Sequence, residues 1–211
     1  MAEDVLLPGL QDYLANLFPD RDEVLLEMEA YAEERQFPIV GPLIGTFLMQ
    51  YARLIGAKRI LELGSGFGYS AIWFAKGSTE NAEIICTDFS GENVEKAKSY
   101  FERAGVSKKI QFRVGDGLEI LDQLGGDFDI IFNDIEKEDY PSVLKAAVPR
   151  LRKGGLLITD NVLWSGRILD SSSTDKTTMG INEYNRLAFN DSRILSSLVP
   201  IRDGLGISLK L

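Results

Sequence analysis

Short apolar runs alternate with amphipathic stretches along the chain from about residue 58 onward. The apolar runs predict strands at residues 59–63, 83–87, 110–114, 128–132 and 156–159. The amphipathic stretches predict helices at residues 69–76, 92–104, 118–124, 140–151 and 181–189. Lys153-Gly154-Gly155 predicts a turn before the fifth strand.

Nearly continuous apolar strands that alternate with helices are typical of a parallel sheet covered on both faces. Because crossovers between parallel strands are right-handed, we expect a doubly wound α/β sheet. The chain departs from this rhythm at its end, where residues 194–201 and 205–211 predict two strands joined by a tight Asp203-Gly204 turn. The sheet is therefore expected to finish in an antiparallel hairpin.

The first 50 residues or so carry helical patterns and no strand signal. No linker-like composition separates them from the remainder, so we interpret residues 1–211 as one domain. In this interpretation residues 1–50 form a helical cap on a core at residues 51–211. Residues 171–178 are rich in serine and threonine and predict a mobile loop.

The charge and the histidine content narrow the possible chemistry. The chain has 23 Lys and Arg against 32 Asp and Glu, which gives a net charge of −9. Such a surface repels phosphate groups, which argues against DNA and anionic membranes as partners. The sequence contains no histidine, so Ser-His-Asp catalysis and histidine metal sites are excluded.

The single cysteine, Cys86, lies within an apolar run. This position predicts a buried, unreactive thiol and excludes an intrachain disulfide or a cysteine zinc cluster. The N-terminus carries acids where a signal peptide carries basic residues, and no apolar run reaches the ~20 residues that span a bilayer. These features predict a soluble, cytoplasmic protein.

A glycine loop follows the first predicted strand, with Gly64, Gly66 and Gly68 placed after Glu62. Glycines at a strand-to-helix turn let a ligand approach the backbone closely. The G-x-G-x-G spacing differs from the G-x-G-x-x-G of dinucleotide-binding proteins. It therefore argues against a nicotinamide-dependent dehydrogenase.

Asp88 and Asp116 follow the second and third predicted strands, so together with Glu62 they bring three acids to one sheet edge. For each acid taken alone, the alternative interpretation is a helix N-cap. Together with the glycine loop, the acids favour a ligand that carries ribose hydroxyls, an ammonium group and a sulfonium cation. S-adenosylmethionine has these three features.

A second group of polar residues ends the fourth and fifth predicted strands. Asp134 follows the fourth strand, and Asp160 and Asn161 follow the fifth. Three oxygen ligands without competing nitrogen or sulfur favour Mg²⁺, with Mn²⁺ or Ca²⁺ as alternatives. Taken separately, Asp134 is also consistent with a helix cap, and Asp160-Asn161 with an Asx-turn.

The loop at residues 62–68 resembles motif I of the class I S-adenosylmethionine-dependent methyltransferases. The longer string at residues 56–71 resembles the caffeoyl-CoA and catechol O-methyltransferase family, and the similarity extends from about Tyr31 to the C-terminus. The resemblance implies a Rossmann-like, mostly parallel seven-stranded sheet with an antiparallel C-terminal hairpin and N-terminal helices.

The resemblance also implies a binding site for S-adenosylmethionine. Glu62 would hold the methionine amino group, Asp88 the ribose hydroxyls, and Asp116 would lie beside the adenine. The other residues implied in donor binding are Gly64, Ser65, Gly66, Gly68, Ser70, Phe89, Gly115, Gly117 and Asp134.

Two further strings match the family's metal motifs, an Asp-x-x-Lys-x-x-Tyr block from Asp134 and an Asp-Asn-x-Leu-Trp-x-Gly block from Asp160. The resemblance places a divalent cation on Asp134, Asp160 and Asn161, and it makes Lys137 the general base, so that Lys137 and Asp134 are the implied catalytic residues. Asn133 and Ile135 depart from the first block, where the family usually has small or apolar residues.

The predicted activity is a metal-dependent O-methylation of a small catechol-like or phenolic acceptor, and the resemblance implies that the protein is a homodimer. The N-terminal helices and residues 164–178 are expected to select the acceptor, with Trp164 either beside it or packed in the core.

An alternative acceptor is tRNA, because residues 31–34 and 182–185 are similar to segments of family members that methylate 5-hydroxyuridine. The acidic charge argues against tRNA, since Arg150, Arg152 and Lys153 form only a small basic cluster. A non-catalytic cofactor-binding module is the third interpretation.

Overall fold

The computed structural model of the protein describes residues 9–17 and 21–211. Its α-helices are α1 (Leu10–Asn16), α2 (Glu23–Arg35), α3 (Gly41–Leu54), α4 (Tyr69–Gly77), α5 (Gly91–Arg103), α6 (Gly117–Gln123), α7 (Tyr140–Ala147) and α8 (Lys176–Asn190). Its strands are β1 (Arg59–Leu63), β2 (Glu83–Asp88), β3 (Ile110–Val114), β4 (Phe128–Asn133), β5 (Leu151–Thr159), β6 (Ile194–Val199) and β7 (Leu205–Lys210).

The strands form one sheet in the order β3-β2-β1-β4-β5-β7-β6. Neighbours from β3 to β5 are parallel, whereas β7 is antiparallel to both β5 and β6. The predicted mixed sheet and its antiparallel end are therefore confirmed. The strand order reverses between β1 and β4, and this switch point is where open α/β sheets form a ligand crevice at their carboxyl edge.

Each face of the sheet carries its own apolar core. Ile60 and Ile130 pack on the face that α3, α4 and α5 cover, while Leu61 and Ile131 pack on the face that α6, α7 and α8 cover. Because successive strand residues point to opposite faces, both kinds of position must be apolar. This requirement accounts for the continuous apolar runs of β1 and β4.

The predicted turn at residues 153–155 is wrong. The strand β5 passes through these residues, and its pairing with β4 shifts from Phe128 opposite Leu151 to Ile130 opposite Leu156. The extra residues of β5 form a bulge-like irregularity in its pairing with β4. Such an irregularity bends the strand that contains the extra residues. The preceding helix is correspondingly shorter than predicted: α7 ends at Ala147, and a 3₁₀ turn occupies Val148–Arg150.

The C-terminal hairpin is confirmed, but its connection is longer than the predicted Asp203-Gly204 turn and spans residues 200–204. The helix α8 also begins earlier than predicted, at Lys176, because the Asp175 side chain caps it by accepting from the Thr178 amide at 2.9 Å. Residues 176–178 are therefore helical and not part of a loop.

The N-terminal helices share the apolar core of the sheet. Ile44, Leu48 and Ala52 of α3 are buried in the same cluster as Ile72 and Phe74 of α4. Among the described residues, no helix is long and apolar enough to cross a membrane.

The side chain of Asn133 is fully buried at the end of β4, and neither its Oδ1 nor its Nδ2 has a hydrogen-bond partner. An unsatisfied buried amide costs about 1–3 kcal/mol. Valine has a high strand propensity and no polar atoms. We therefore expect Asn133→Val to raise the free energy of unfolding by about 1–3 kcal/mol in denaturant titrations.

The matched control is Gln111→Val, which replaces an exposed amide on β3. We expect this control to change stability by less than about 0.5 kcal/mol. Unchanged or lower stability of Asn133→Val would show that a bound water or ligand satisfies the buried amide.

Candidate active site

The glycine loop joins β1 to α4 and passes close to the end of β4. Gly64 has a φ of +81°, and a Cβ atom there would lie 2.3 Å from the carbonyl oxygen of Asp134. Only glycine fits both the left-handed backbone and this distance. The Asp134 amide donates to the Leu63 carbonyl at 3.0 Å, so the ends of β1 and β4 are held side by side.

A small crevice lies between this loop and residues 37–40, which are part of the connection from α2 to α3. We call residues 37–40 the strap. The predicted donor-binding residues that line the crevice are Gly64, Ser65, Gly66, Ser70 and Asp134. The structure thus gathers these residues at the switch point of the sheet.

Glu62 lies behind the crevice and is fully buried in β1. Its carboxylate accepts hydrogen bonds from the Ser70 hydroxyl and from the Cys86 thiol, the latter at 3.4 Å. Burial raises the pKa of Glu62 to about 7, and the charge of Asp134 adds to this rise. Cys86 is buried as predicted, and burial raises the pKa of its thiol as well.

Asp88 at the end of β2 holds the glycine loop from the other side. One carboxylate oxygen accepts from the Gly66 amide at 3.0 Å, and the other accepts from the Ser90 amide at 2.8 Å and the Asn93 side chain at 3.0 Å. The neighbouring Phe89 is 72% exposed and does not line the crevice.

Asp116 is the N-cap of α6, where one carboxylate oxygen accepts from the amides of Leu118 and Glu119 at 2.8 and 3.0 Å. Asp116 and its neighbours Gly115 and Gly117 do not line the crevice. Gly68 likewise lies outside the lining, as the N-cap of α4. These predicted donor-binding residues therefore lie outside the lining of the crevice.

Asp134 and Lys137 form an ion pair directly after β4. The Lys137 amine donates to Asp134 Oδ1 at 2.9 Å and to the Ile135 carbonyl at 3.2 Å. Only 15% of the Lys137 side chain and 25% of the Asp134 side chain are exposed. Burial raises the pKa of Asp134 above its ordinary value, although the charge of Lys137 opposes this rise.

Asp160 is buried at the end of β5, and its backbone amide donates to the Asn133 carbonyl at 3.1 Å. Burial raises the pKa of Asp160, and the charge of Asp134 raises it further. Tyr140 holds the backbone of Asp160 in place, since its buried hydroxyl donates to the Asp160 carbonyl at 3.0 Å. The charge of Asp134 acts on Asp160 because the two residues follow the adjacent parallel strands β4 and β5.

Asp203 is a buried residue that the sequence analysis assigned to a turn. Its carboxylate accepts from the Asn161 side-chain amide at 3.4 Å and from the Ser165 backbone amide. The Asp203 carbonyl also accepts from the Leu163 amide at 2.8 Å. Asp203 therefore fixes the loop that carries Asn161. Asp-Gly is a common turn sequence, so the residues around Asp203 give no sign in the sequence that its side chain supports the Asn161 loop.

These residues fit a divalent cation. Among residues 9–17 and 21–211, no three Cys, Asp or Glu side chains are grouped as a metal site, so a cation on Asp134 and Asp160 would need a neutral third ligand. Because Asn161 donates its NH₂ to Asp203, its Oδ1 stays available as an acceptor. Asp134, Asp160 and Asn161 thus offer oxygen atoms alone, which hard cations prefer.

Trp164 begins a 3₁₀ segment, Trp164–Leu169, that follows the Asn161 loop. Its indole ring packs partly against the core under α8, and its centroid lies 6.0 Å from the Lys137 amine. Trp164 therefore packs in part against the core, and its place beside an acceptor stays a prediction. Asn185, in the segment that suggested tRNA enzymes, donates to the Val162 carbonyl at 2.8 Å and so supports the same loop.

The sheet order, the antiparallel final strands and a glycine loop at the switch point define a Rossmann-like methyltransferase fold. A family model described as O-methyltransferase matches residues 21–211. The chain therefore belongs to the O-methyltransferase family, and the resemblance inferred from its motifs is confirmed.

Individual relatives agree with this assignment. The chain is 30% identical to a catechol O-methyltransferase from Niastella koreensis, over 98% of this chain and 97% of that protein. It is 29% identical to caffeoyl-CoA O-methyltransferase 1 from Eucalyptus globulus, over 93% and 85% respectively. The crystal structure of an O-methyltransferase from Bacillus cereus in complex with SAH has a TM-score of 0.88 and 27% identity, covering 96% of this chain and 97% of that one.

The close approach of the glycine loop predicts a specific sensitivity. Gly64→Ala would place a methyl group against the Asp134 carbonyl on a left-handed backbone. Left-handed strain and overpacking together cost about 2–5 kcal/mol, so we expect Gly64→Ala to lower the free energy of unfolding by that amount in denaturant titrations.

Gly91→Ala is the matched control, because a Cβ atom at this first residue of α5 meets nothing within 4 Å. We expect this change to leave stability unchanged or to raise it by up to about 1 kcal/mol. Equal stabilities of the two variants would contradict the close approach at Gly64.

Proposed function

We propose that the protein transfers a methyl group from S-adenosylmethionine to a hydroxyl of a small catechol-like or phenolic acceptor, with a divalent cation at the site. The observation that carries the proposal is the position of Asp134. It lines the crevice beside the glycine loop, and it follows β4, whose neighbour β5 ends next to Asp160. Donor and cation sites would therefore share one wall.

The donor would occupy the crevice under the strap. The glycine loop presents backbone groups there without side chains, and Ser70 lines the wall while it bonds to Glu62. The buried Glu62 carboxylate suits an ammonium group, because a buried charge is stable only when it is paired. The SAH bound to the Bacillus cereus relative supports a donor of this class.

The cation would lie on Asp134, Asp160 and Asn161. Its charge would offset that of the two buried carboxylates, and Asn161 would contribute its amide oxygen, since its NH₂ group donates to Asp203. A bound divalent cation would lower the pKa of a hydroxyl group that it coordinates. Tyr140 and Asp203 would hold the ligands in place, through the Asp160 carbonyl and the Asn161 amide. Fixed positions of this kind reduce the reorganisation that binding requires.

Lys137 would act as the general base, because its amine contacts Asp134 at the edge of the same space. In the transfer step the acceptor hydroxyl would give its proton to the Lys137 amine, which must first release to water the proton that it carries in the ion pair with Asp134. The acceptor oxygen forms a bond to the donor methyl carbon while the carbon–sulfur bond breaks, and the sulfonium becomes a neutral thioether. Holding oxygen and methyl in line can supply an effective molarity of ~10⁵ M or more.

The acceptor would lie against Trp164, whose ring faces Lys137 at 6.0 Å. The catechol and caffeoyl-CoA substrates named for two relatives support an aromatic acceptor with neighbouring hydroxyls. A homodimer and a cytoplasmic location stay predictions of the sequence.

A methyl-transfer assay with labelled donor tests this function on catechols, flavonoids, CoA thioesters of phenolic acids and tRNA, each with Mg²⁺ and with EDTA. We expect transfer to a catechol-type acceptor that EDTA abolishes and added Mg²⁺ restores. Transfer that persists in EDTA would overturn the cation assignment. Transfer to tRNA alone would overturn the small-molecule acceptor.

A substitution separates the cation site from the donor site. Asp160→Ala removes one proposed cation ligand that does not line the crevice. We expect it to lower turnover by at least 100-fold, while S-adenosylhomocysteine binds within about threefold of wild type in calorimetry. The control Asp122→Ala removes an exposed acid from α6 and should change neither quantity. Loss of binding in Asp160→Ala would indicate a damaged fold instead.

The raised pKa of Glu62, about 7, predicts a pH dependence of donor binding. The carboxylate is neutral below this pH and charged above it, and only the charged form pairs with the ammonium group of the donor. Between pH 6 and pH 8 the charged fraction rises about tenfold, so the Kd of S-adenosylhomocysteine should fall about tenfold in metal-free calorimetry. Glu62→Gln should bind weakly and without this dependence; a wild-type Kd constant over this range would contradict the proposed pairing.

A further inference from the structure

Arg202 joins two parts of the molecule that are far apart in sequence. It lies in the connection between β6 and β7, and its Nη1 donates to the carbonyl oxygen of Ile39 at 3.0 Å. Ile39 is in the middle of the strap that lines the crevice. Among the residues that the structure describes, this is the one hydrogen bond between a side chain and the strap backbone.

The backbone on both sides of this contact is unusual. Arg202 has a φ of +49°, a left-handed conformation that costs a residue with a Cβ about 1–2 kcal/mol. On the strap side, Gly41 has a φ of +68°, and a Cβ atom there would lie 2.9 Å from Arg202 Nη1. The guanidinium group of Arg202 therefore packs directly on Gly41, where the strap joins α3. Strain that persists in a fold points to a role for the strained residue.

The residue next to Arg202 holds the opposite side of the site. Asp203 accepts from Asn161 and Ser165, and the Gly204 carbonyl accepts from the Val162 amide at 3.1 Å. The connection at residues 200–204 thus contacts the strap through one side chain and the Asn161 loop through the next.

We propose that Arg202 is a positioning residue, which fixes the strap over the methyl-donor crevice and ties it to the loop that carries Asn161. This inference rests on the proposed location of the donor. Arg202 touches neither of the reacting groups in this proposal. It acts through the Ile39 carbonyl, by keeping the strap at the distance from the glycine loop that the bound donor requires.

The test compares Arg202→Gly with the wild type in metal-free buffer with EDTA. Glycine accepts the left-handed backbone, and the strain that it relieves offsets the lost hydrogen bond in part, so we expect only a small decrease in the thermal midpoint. The Kd of S-adenosylhomocysteine should increase about tenfold in calorimetry, because the strap would no longer be held in place before the donor binds and binding would have to order it. Amide hydrogen exchange of residues 37–41 should become faster in the absence of ligand.

Two further variants make the result specific. Arg202→Lys keeps a donor that can reach a carbonyl and should recover part of the lost affinity. Arg193→Gly removes an arginine from the start of the same hairpin, where its side chain pairs with Asp191 at 2.6 Å. This control should leave both donor affinity and exchange of the strap unchanged.

Glu62→Gln distinguishes the two proposals. If Glu62→Gln weakens S-adenosylhomocysteine binding but Arg202→Gly binds like wild type with unchanged exchange at residues 37–41, the positioning role is wrong and the donor site stands. If Glu62→Gln binds like wild type, the donor location itself is wrong. A loss of affinity in Arg193→Gly equal to that in Arg202→Gly would also overturn the positioning role.

Discussion

Burial of like charges at the carboxyl edge of the sheet is the constraint on which the site depends. Glu62, Asp134 and Asp160 lie at or near the carboxyl ends of the neighbouring strands β1, β4 and β5, and burial raises the pKa of each. Buried carboxylates are costly unless positive groups compensate for them. The fold itself supplies only part of this compensation, through Lys137 beside Asp134 and through the charge of Arg202, which lowers the pKa of Asp134 and of Asp160. A cationic donor and a divalent cation would complete it, which links the stability of the site to its proposed ligands.

The switch point of the sheet explains why these groups meet. Because β1 and β4 are adjacent and parallel, their carboxyl ends place the glycine loop against Asp134. The next strand, β5, then delivers Asp160 beside it. The antiparallel β7 brings a different part of the chain to the same edge, since its connection to β6 carries Arg202 and Asp203. An all-parallel sheet would place this connection differently.

Much of the fold was predictable because parallel strands that are buried on both faces require continuous apolar runs. The strand at Arg59–Leu63 has the predicted bounds, and those at Glu83–Asp88 and Phe128–Asn133 extend one residue beyond theirs. The errors arose where polar or glycine-rich residues belong to regular structure. Lys153-Gly154-Gly155 lies within β5, and Lys176 begins α8. At the first place the pairing of β5 with β4 overrides the local turn pattern, and at the second the Asp175 cap extends the helix into the predicted loop.

The sequence alone determined which polar residues reach the carboxyl edge, because strand ends position them: Asp134 and Asp160 could be named from their places after apolar runs. Only the tertiary structure decided what each residue contacts there. Asp116 caps a helix, and Phe89 is exposed. Asp203 supports Asn161, and Arg202 reaches Ile39. The physical reason is that the periodicity of apolar residues reflects burial within one segment of the chain. The hydrogen bond between Arg202 and Ile39 joins residues 163 positions apart, so it depends on the way in which the folded sheet brings these segments together.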